Sequence, residues 1–150
     1  MGGRLMKIAL ASDHAGFDLK EEVKGYLLKE GIQVVDLGTD SNASVDYPYY
    51  GRKCAEAVSE GKAERGIVVC GSGIGISIAA NKIKGIRCAL CTDVEMAEMA
   101  RKHNDANMLA LGGRATDRDT ALSITKTWLN TGFDGGERHQ RRVDMLNDMG

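Results

Sequence analysis

Apolar positions along the chain follow two alternating rhythms. Five short, nearly unbroken runs, "MKIALAS" (6–12), "IQVVDLG" (32–38), "GIVVC" (66–70), "GIRCALC" (85–91) and "NMLALG" (107–112), have the length and composition of strands buried on both faces. Between them the apolar residues recur at helical spacing. In 18–31, Leu19, Val23, Tyr26 and Leu27 fall on one face and Gly31 stops the run; 47–61 is introduced by Pro48, the only proline, and closed by Gly61. A helix from about Gly75 to Lys84 follows the third strand. Another covers 93–103 with Asp93 as N-cap, and 116–132 buries Leu122, Ile124, Trp128 and Leu129 before Gly132. This alternation predicts a Rossmann-like, three-layer α/β/α sandwich with a five-stranded parallel sheet in the order 2-1-3-4-5.

One segment is left over. "ERHQRRVDMLNDM" (137–149) offers only Val143, Met145, Leu146 and Met149 to bury, so this C-terminal helix is expected to dock on a partner subunit. Residues 1–150 make one domain of 150 residues, and 1–5 read as a disordered extension. Twenty basic and 21 acidic residues nearly cancel, which removes the field that gathers nucleic acid or anionic membrane and makes any anion recognition local. No run approaches a membrane span, and "MGGRLMK" lacks a signal-peptide core, so a cytoplasmic protein is expected. That compartment keeps the four cysteines free. Cys88 and Cys91 form a C-x-x-C, but inside a strand an offset of three points them to opposite faces, so redox or metal chemistry is not expected there.

In such a sheet, ligands gather beyond the carboxyl ends of the strands where strand order reverses. Asp13 and His14 arrive there from the first strand and Cys70 from the third. The glycines of Gly71-Ser72-Gly73-Ile74-Gly75 let the backbone turn sharply and bring amides to a ligand at the mouth of a helix, forming an anion cradle. The spacing is neither G-x-G-x-x-G nor a P-loop, which argues against dinucleotides and triphosphates. The same helix start favours a thiolate, poising Cys70 to take a proton; the plainer alternative is a small buried hydrophobe.

"ASDHAGFDLK", "DYPYYG", "CGSGIGISIAANK", "HNDANMLALGGR" and "GGERHQRRV" occur in this order and together resemble the ribose-5-phosphate isomerase type B family, which also holds galactose-6-phosphate and allose-6-phosphate isomerases. The likeness runs from Met6 to about Val143. It implies cofactor-free, metal-free aldose–ketose isomerisation of a phosphosugar by a homodimer with sites between subunits, and the sequence leaves open whether dimers pair into a tetramer. By resemblance Cys70 is the base that moves a proton between C2 and C1 through a cis-enediolate. Gly71, Gly73, Ile74 and Gly75, with the Ser72 hydroxyl, stabilise its oxygen. A glutamate used by another branch six positions later is Ile76 here, which places the chain in the cysteine branch. His103, assisted by Asp13, matches the ring-opening group; Asn104, Tyr47 and His14 line the substrate; Arg114, Arg138 and Arg142 match the phosphate site. Glu137, inserted before Arg138, leaves Arg141 as an alternative to Arg142.

Because His103 follows the fourth-strand helix, it is expected at the amino edge of the sheet, with Cys70 at the carboxyl edge, so that His103 and Asn104 serve the partner's site. Ribose 5-phosphate is the leading substrate and a six-carbon phosphosugar the rival. A non-catalytic phosphosugar sensor is a third reading, but would have no use for Cys70, Asp13 and His103 together.

Overall fold

A computed structural model describes residues 6–150, so the expectation for 1–5 lies outside the described residues. Five parallel strands, β1 (Lys7–Ser12), β2 (Gln33–Asp36), β3 (Arg65–Cys70), β4 (Cys88–Leu90) and β5 (Met108–Gly112), alternate with α1 (Phe17–Lys29), α2 (Tyr47–Ser59), α3 (Ile74–Asn81), α4 (Val94–Asn104) and α5 (Arg118–Asn130). A last helix, α6 (Glu137–Asp148), follows them. Among the described residues no helix is long and apolar enough to cross a membrane.

The two faces of the sheet are assigned residue by residue along each strand. Ile8, Leu10, Ile67, Val69, Leu109 and Leu111 pack with α1, α4 and α5, where Trp128 is fully buried and donates its Nε1–H to the Ala106 carbonyl at 3.2 Å. Ala9, Ala11, Val68, Cys70, Met108 and Ala110 meet α2 and α3. The small side chains on that second face let α2 and α3 approach closely; Gly51 in α2 leaves no room for a Cβ against Ala79 and Ile76. Burying each large aliphatic side chain contributes about 1.5–3 kcal/mol, so both layers are needed. Cys88 packs on the second face and Cys91 on the first, as an offset of three in a strand requires, and all four cysteines are free.

The order is β2-β1-β3-β5-β4, which corrects the expected placement of the last two strands. β5 is buried at every position and takes an interior place, whereas β4 has three residues, all half-buried, and forms the edge. A second correction concerns α3, which ends at Asn81 rather than near Lys84. Asn81 uses its side-chain amide as a substitute strand: Oδ1 accepts the Cys88 N–H at 2.8 Å and Nδ2 donates to the Cys88 carbonyl at 2.9 Å. That tether turns the chain back along the edge and ends the helix.

The reversal of order between β1 and β3 leaves a crevice at the carboxyl edge, where three loops interlock through glycines. A Cβ on Gly113 would lie 2.8 Å from the Ala15 carbonyl oxygen, and one on Gly112 2.6 Å from that of Ser72. Only hydrogen fits at these crossings.

Candidate active site

Cys70 ends β3, with 4% of its surface exposed. Gly73, at φ +83°, turns the chain so that its N–H donates to the Cys70 Sγ at 3.1 Å. The Ser72 Oγ accepts the Ile74 N–H at 3.1 Å, which fixes the next step of the loop. The N–H groups of Gly71, Ser72 and Gly75 have no acceptor among the described residues and are available to an oxyanion at the start of α3.

The other thiols behave differently. Cys54 donates its S–H to the Ile67 carbonyl and Cys91 to that of Ala89, both at 3.8 Å. Burial pushes both up to about 12 and drives Cys88 upward as well. Cys70 is the cysteine whose sulfur receives a main-chain hydrogen, a geometry suited to negative charge.

Around it stand the other first-half residues. Asp13 is buried, and its Oδ1 accepts the Gly16 N–H at 3.0 Å. His14 Nδ1 lies 3.1 Å from the Val45 main-chain nitrogen and 3.2 Å from its carbonyl oxygen, contacts that tie the ring to the loop before α2. Tyr47 lies against Gly75, whose hypothetical Cβ would come within 2.6 Å of the phenol ring. Arg114 donates its main-chain N–H to the Gly71 carbonyl at 2.9 Å and runs its side chain beside that glycine into solvent.

The remaining sequence-predicted residues are elsewhere. His103 and Asn104 end α4, just before β5 enters the sheet with Met108 beside Gly66 of β3. The five residue steps of β3 separate that amino edge from Cys70 by about 16 Å. Asp105, at φ +46°, makes the turn. Buried Arg101 clamps it with Nη1 2.7 Å from the Asp105 Oδ1, and Arg87 donates to the carbonyls of Asn104 and Asp105. α6 lies across this end of α4. Val143 is its buried residue, Asn147 Oδ1 accepts from Arg87 Nη1 at 2.6 Å, and the ring of His139 stacks on that of His103. With Val143 and His139 facing inward, helical periodicity puts Arg138 and Arg142 together on the adjoining flank and turns Arg141 toward solvent. His139 went unremarked in the sequence; its signal was the four-residue offset from Val143, which marks the docked face.

The structure therefore gathers Cys70, Asp13, His14, Tyr47, the 71–75 loop and Arg114 at one edge, and His103, Asn104, Arg138 and Arg142 at the other. Among the described residues, no three His, Cys, Asp or Glu side chains are grouped to hold a metal ion.

The family model for ribose/galactose isomerase matches residues 8–146. The chain belongs to the ribose/galactose isomerase family. It is 44% identical over 142 residues to ribose-5-phosphate isomerase B of Escherichia coli, covering 95% of each chain. The solved ribose-5-phosphate isomerase B of Clostridium thermocellum superposes with a TM-score of 0.94 at 55% identity, over 95% of this chain and 96% of that one. The type B ribose 5-phosphate isomerase of Trypanosoma brucei gives 0.93 at 44% identity, over 97% and 99%.

Proposed function

We propose that this member of the family interconverts D-ribose 5-phosphate and D-ribulose 5-phosphate in the cytoplasm, as a homodimer whose two half-sites meet across the subunit boundary. The observation that carries the chemistry is the Cys70 sulfur held by the Gly73 N–H, beside main-chain amides left without acceptors. A thiolate there takes the C2 proton of the open-chain aldose. The electron pair moves onto the C1 carbonyl oxygen to give a cis-enediolate, which the amides of Gly71, Ser72 and Gly75 receive. A proton passes from the C2 hydroxyl to the C1 oxygen, and return of the first proton from Cys70 to C1, as the electron pair on O2 re-forms a carbonyl at C2, completes the ketose. Such preorganised donors supply roughly 3–4 kcal/mol of barrier lowering each.

The sugar arrives as a ring, so a proton must pass between the anomeric hydroxyl and the ring oxygen. His103 of the second subunit suits that task, and Asp13 stands at the first edge to assist it. Arg138 and Arg142 offer paired guanidinium groups to the phosphate from the same subunit as His103, while His14 and Arg114 approach from the Cys70 side.

Two features support a dimer. Half of the required groups lie at the wrong edge to reach Cys70 in the same chain. The short edge strand β4 is flanked by helices with exposed apolar side chains, Ile74 and Ile78 on α3 and Val94, Met96 and Met99 on α4, which a second copy would cover. The test is a competition among pentose 5-phosphates and hexose 6-phosphates, together with solvent deuterium exchange in a Cys70→Ala variant. Turnover of ribose 5-phosphate that exceeds any hexose phosphate, and exchange that vanishes with the thiol, are expected. Preference for a hexose phosphate overturns the substrate, and surviving exchange overturns the base.

A further inference from the structure

His139 is the one aromatic side chain that α6 turns onto the end of α4. Its ring lies 4.5 Å from that of His103, centroid to centroid, with 10° between the planes. Among the described residues neither imidazole makes a hydrogen bond or ion pair with the protein, so the stack is the contact that sets the plane of His103 and it leaves both ring nitrogens unpaired. Two other contacts hold α6 independently of His139: buried Val143, and Asn147 on Arg87. The helix that presents Arg138 and Arg142 is therefore also the one that orients His103, and the two jobs are separable.

We propose that His139 is a positioning residue for the ring-opening step: by stacking on His103 it aims that imidazole at the anomeric oxygens of a sugar bound in the partner's Cys70 crevice. The proposal rests on the isomerase reading above and adds to it a residue that touches neither sugar nor phosphate. It makes a distinction that a general structural role would not. Ribulose 5-phosphate has no ring to open, since the hydroxyl that would close a furanose carries the phosphate. Exchange of its C1 hydrogen with solvent deuterium needs Cys70 and the amide loop, whereas conversion of cyclic ribose 5-phosphate needs His103 as well.

The experiment compares these two rates in the wild-type dimer, His139→Ala and His139→Phe. In His139→Ala, kcat for ribose 5-phosphate is expected to fall roughly ten- to a hundredfold with KM little changed, because loss of orientation costs that much while the arginines stay in place. C1 exchange in ribulose 5-phosphate is expected to stay within about twofold of wild type. His139→Phe, which keeps a planar partner, is expected to restore most of the lost kcat. Equal loss of both rates, loss of neither, or a phenylalanine variant as slow as the alanine one overturns the proposal. Proton NMR reads the same contact without turnover. The chain has only three histidines, and the His103 ring protons should lose their upfield ring-current shift in His139→Ala but keep it in His139→Phe. An unchanged shift refutes the stack. A wild-type dimer that shifts as expected but neither isomerises nor exchanges overturns the functional reading instead.

Discussion

If Cys70 and His103 act on the same sugar from different chains, two dead enzymes should make a live one. A Cys70→Ala chain retains His103, and a His103→Ala chain retains Cys70. In their heterodimer one site pairs the two damaged groups and the other pairs the two intact ones. The edges they occupy are about 16 Å apart within a chain, which no side-chain motion spans, so a site built in cis would leave both sites of the heterodimer damaged. Random re-association after mixing equal amounts gives half heterodimers, each with one good site of two, and the activity expected is about one quarter of wild type. The assay is isomerisation of ribose 5-phosphate before and after dissociation and re-association of differently tagged variants, with the heterodimer fraction measured by tandem affinity capture. Either parent alone should show less than about one hundredth of wild-type turnover. Captured heterodimers with no more activity than the parents would refute the shared site.

Gly73→Ala should lower stability by about 1–2 kcal/mol for the left-handed backbone alone, with a further cost because its Cβ would meet Leu90 Cδ1 at 2.5 Å. It should also abolish deuterium exchange by turning the N–H away from Cys70; thermal unfolding and exchange read the two effects. At pH 8, iodoacetamide should label Cys70 and spare Cys54, Cys88 and Cys91, whose thiols burial keeps protonated. Bound ribose 5-phosphate should protect Cys70; mass spectrometry identifies the site. Lys20, with its side chain wholly buried, donates to both carboxylate oxygens of Asp36 at 2.9 and 3.0 Å. Lys20→Met should cost roughly 2–3 kcal/mol in urea unfolding, because a half-buried carboxylate loses its closest cation. Burial works to raise the Asp36 carboxyl, but the Gly38 N–H and the ammonium groups of Lys20 and Lys24 outweigh it and hold it below the usual carboxylate range. A depressed folded value means this stabilisation is present above the unfolded pKa, near 4, and is lost as pH falls through the folded one; in Asp36→Asn that acid-dependent part of the unfolding curve should disappear.

The layers of the fold were legible because each strand keeps one periodicity and each helix another. Alternation along "GIVVC" assigns Ile67 and Val69 to one face and Val68 and Cys70 to the other. Neighbour order was harder to read, since periodicity says which face a residue takes and nothing about which strand lies beside it. The information that decides between β4 and β5 is exposure: an arginine within "GIRCALC" and only three ladder residues mark an edge, whereas "MLALG" (108–112) is apolar throughout. The end of α3 was hidden for a related reason. Asn81 reads as an ordinary polar residue in a helix, and its pairing with both main-chain groups of Cys88 exists only once the strand is beside it.

The site divides along the same line. The thiol and amides of the Cys70 edge are local in sequence, since a strand end, a glycine turn and a helix start within six residues must bring them together. The His103 half is assembled by α6, whose few apolar side chains make its docking a matter of Val143, one stacked ring and the bond from Arg87 to Asn147. Weak docking of this kind has a consequence for catalysis. If His103 opens the ring as proposed, the contacts of α6 with the end of α4 link it to Arg138 and Arg142, so closure on a phosphate would carry His103 toward the sugar in the same motion. Binding energy gained at the phosphate can thereby be spent on orienting the group that acts at the other end of the substrate.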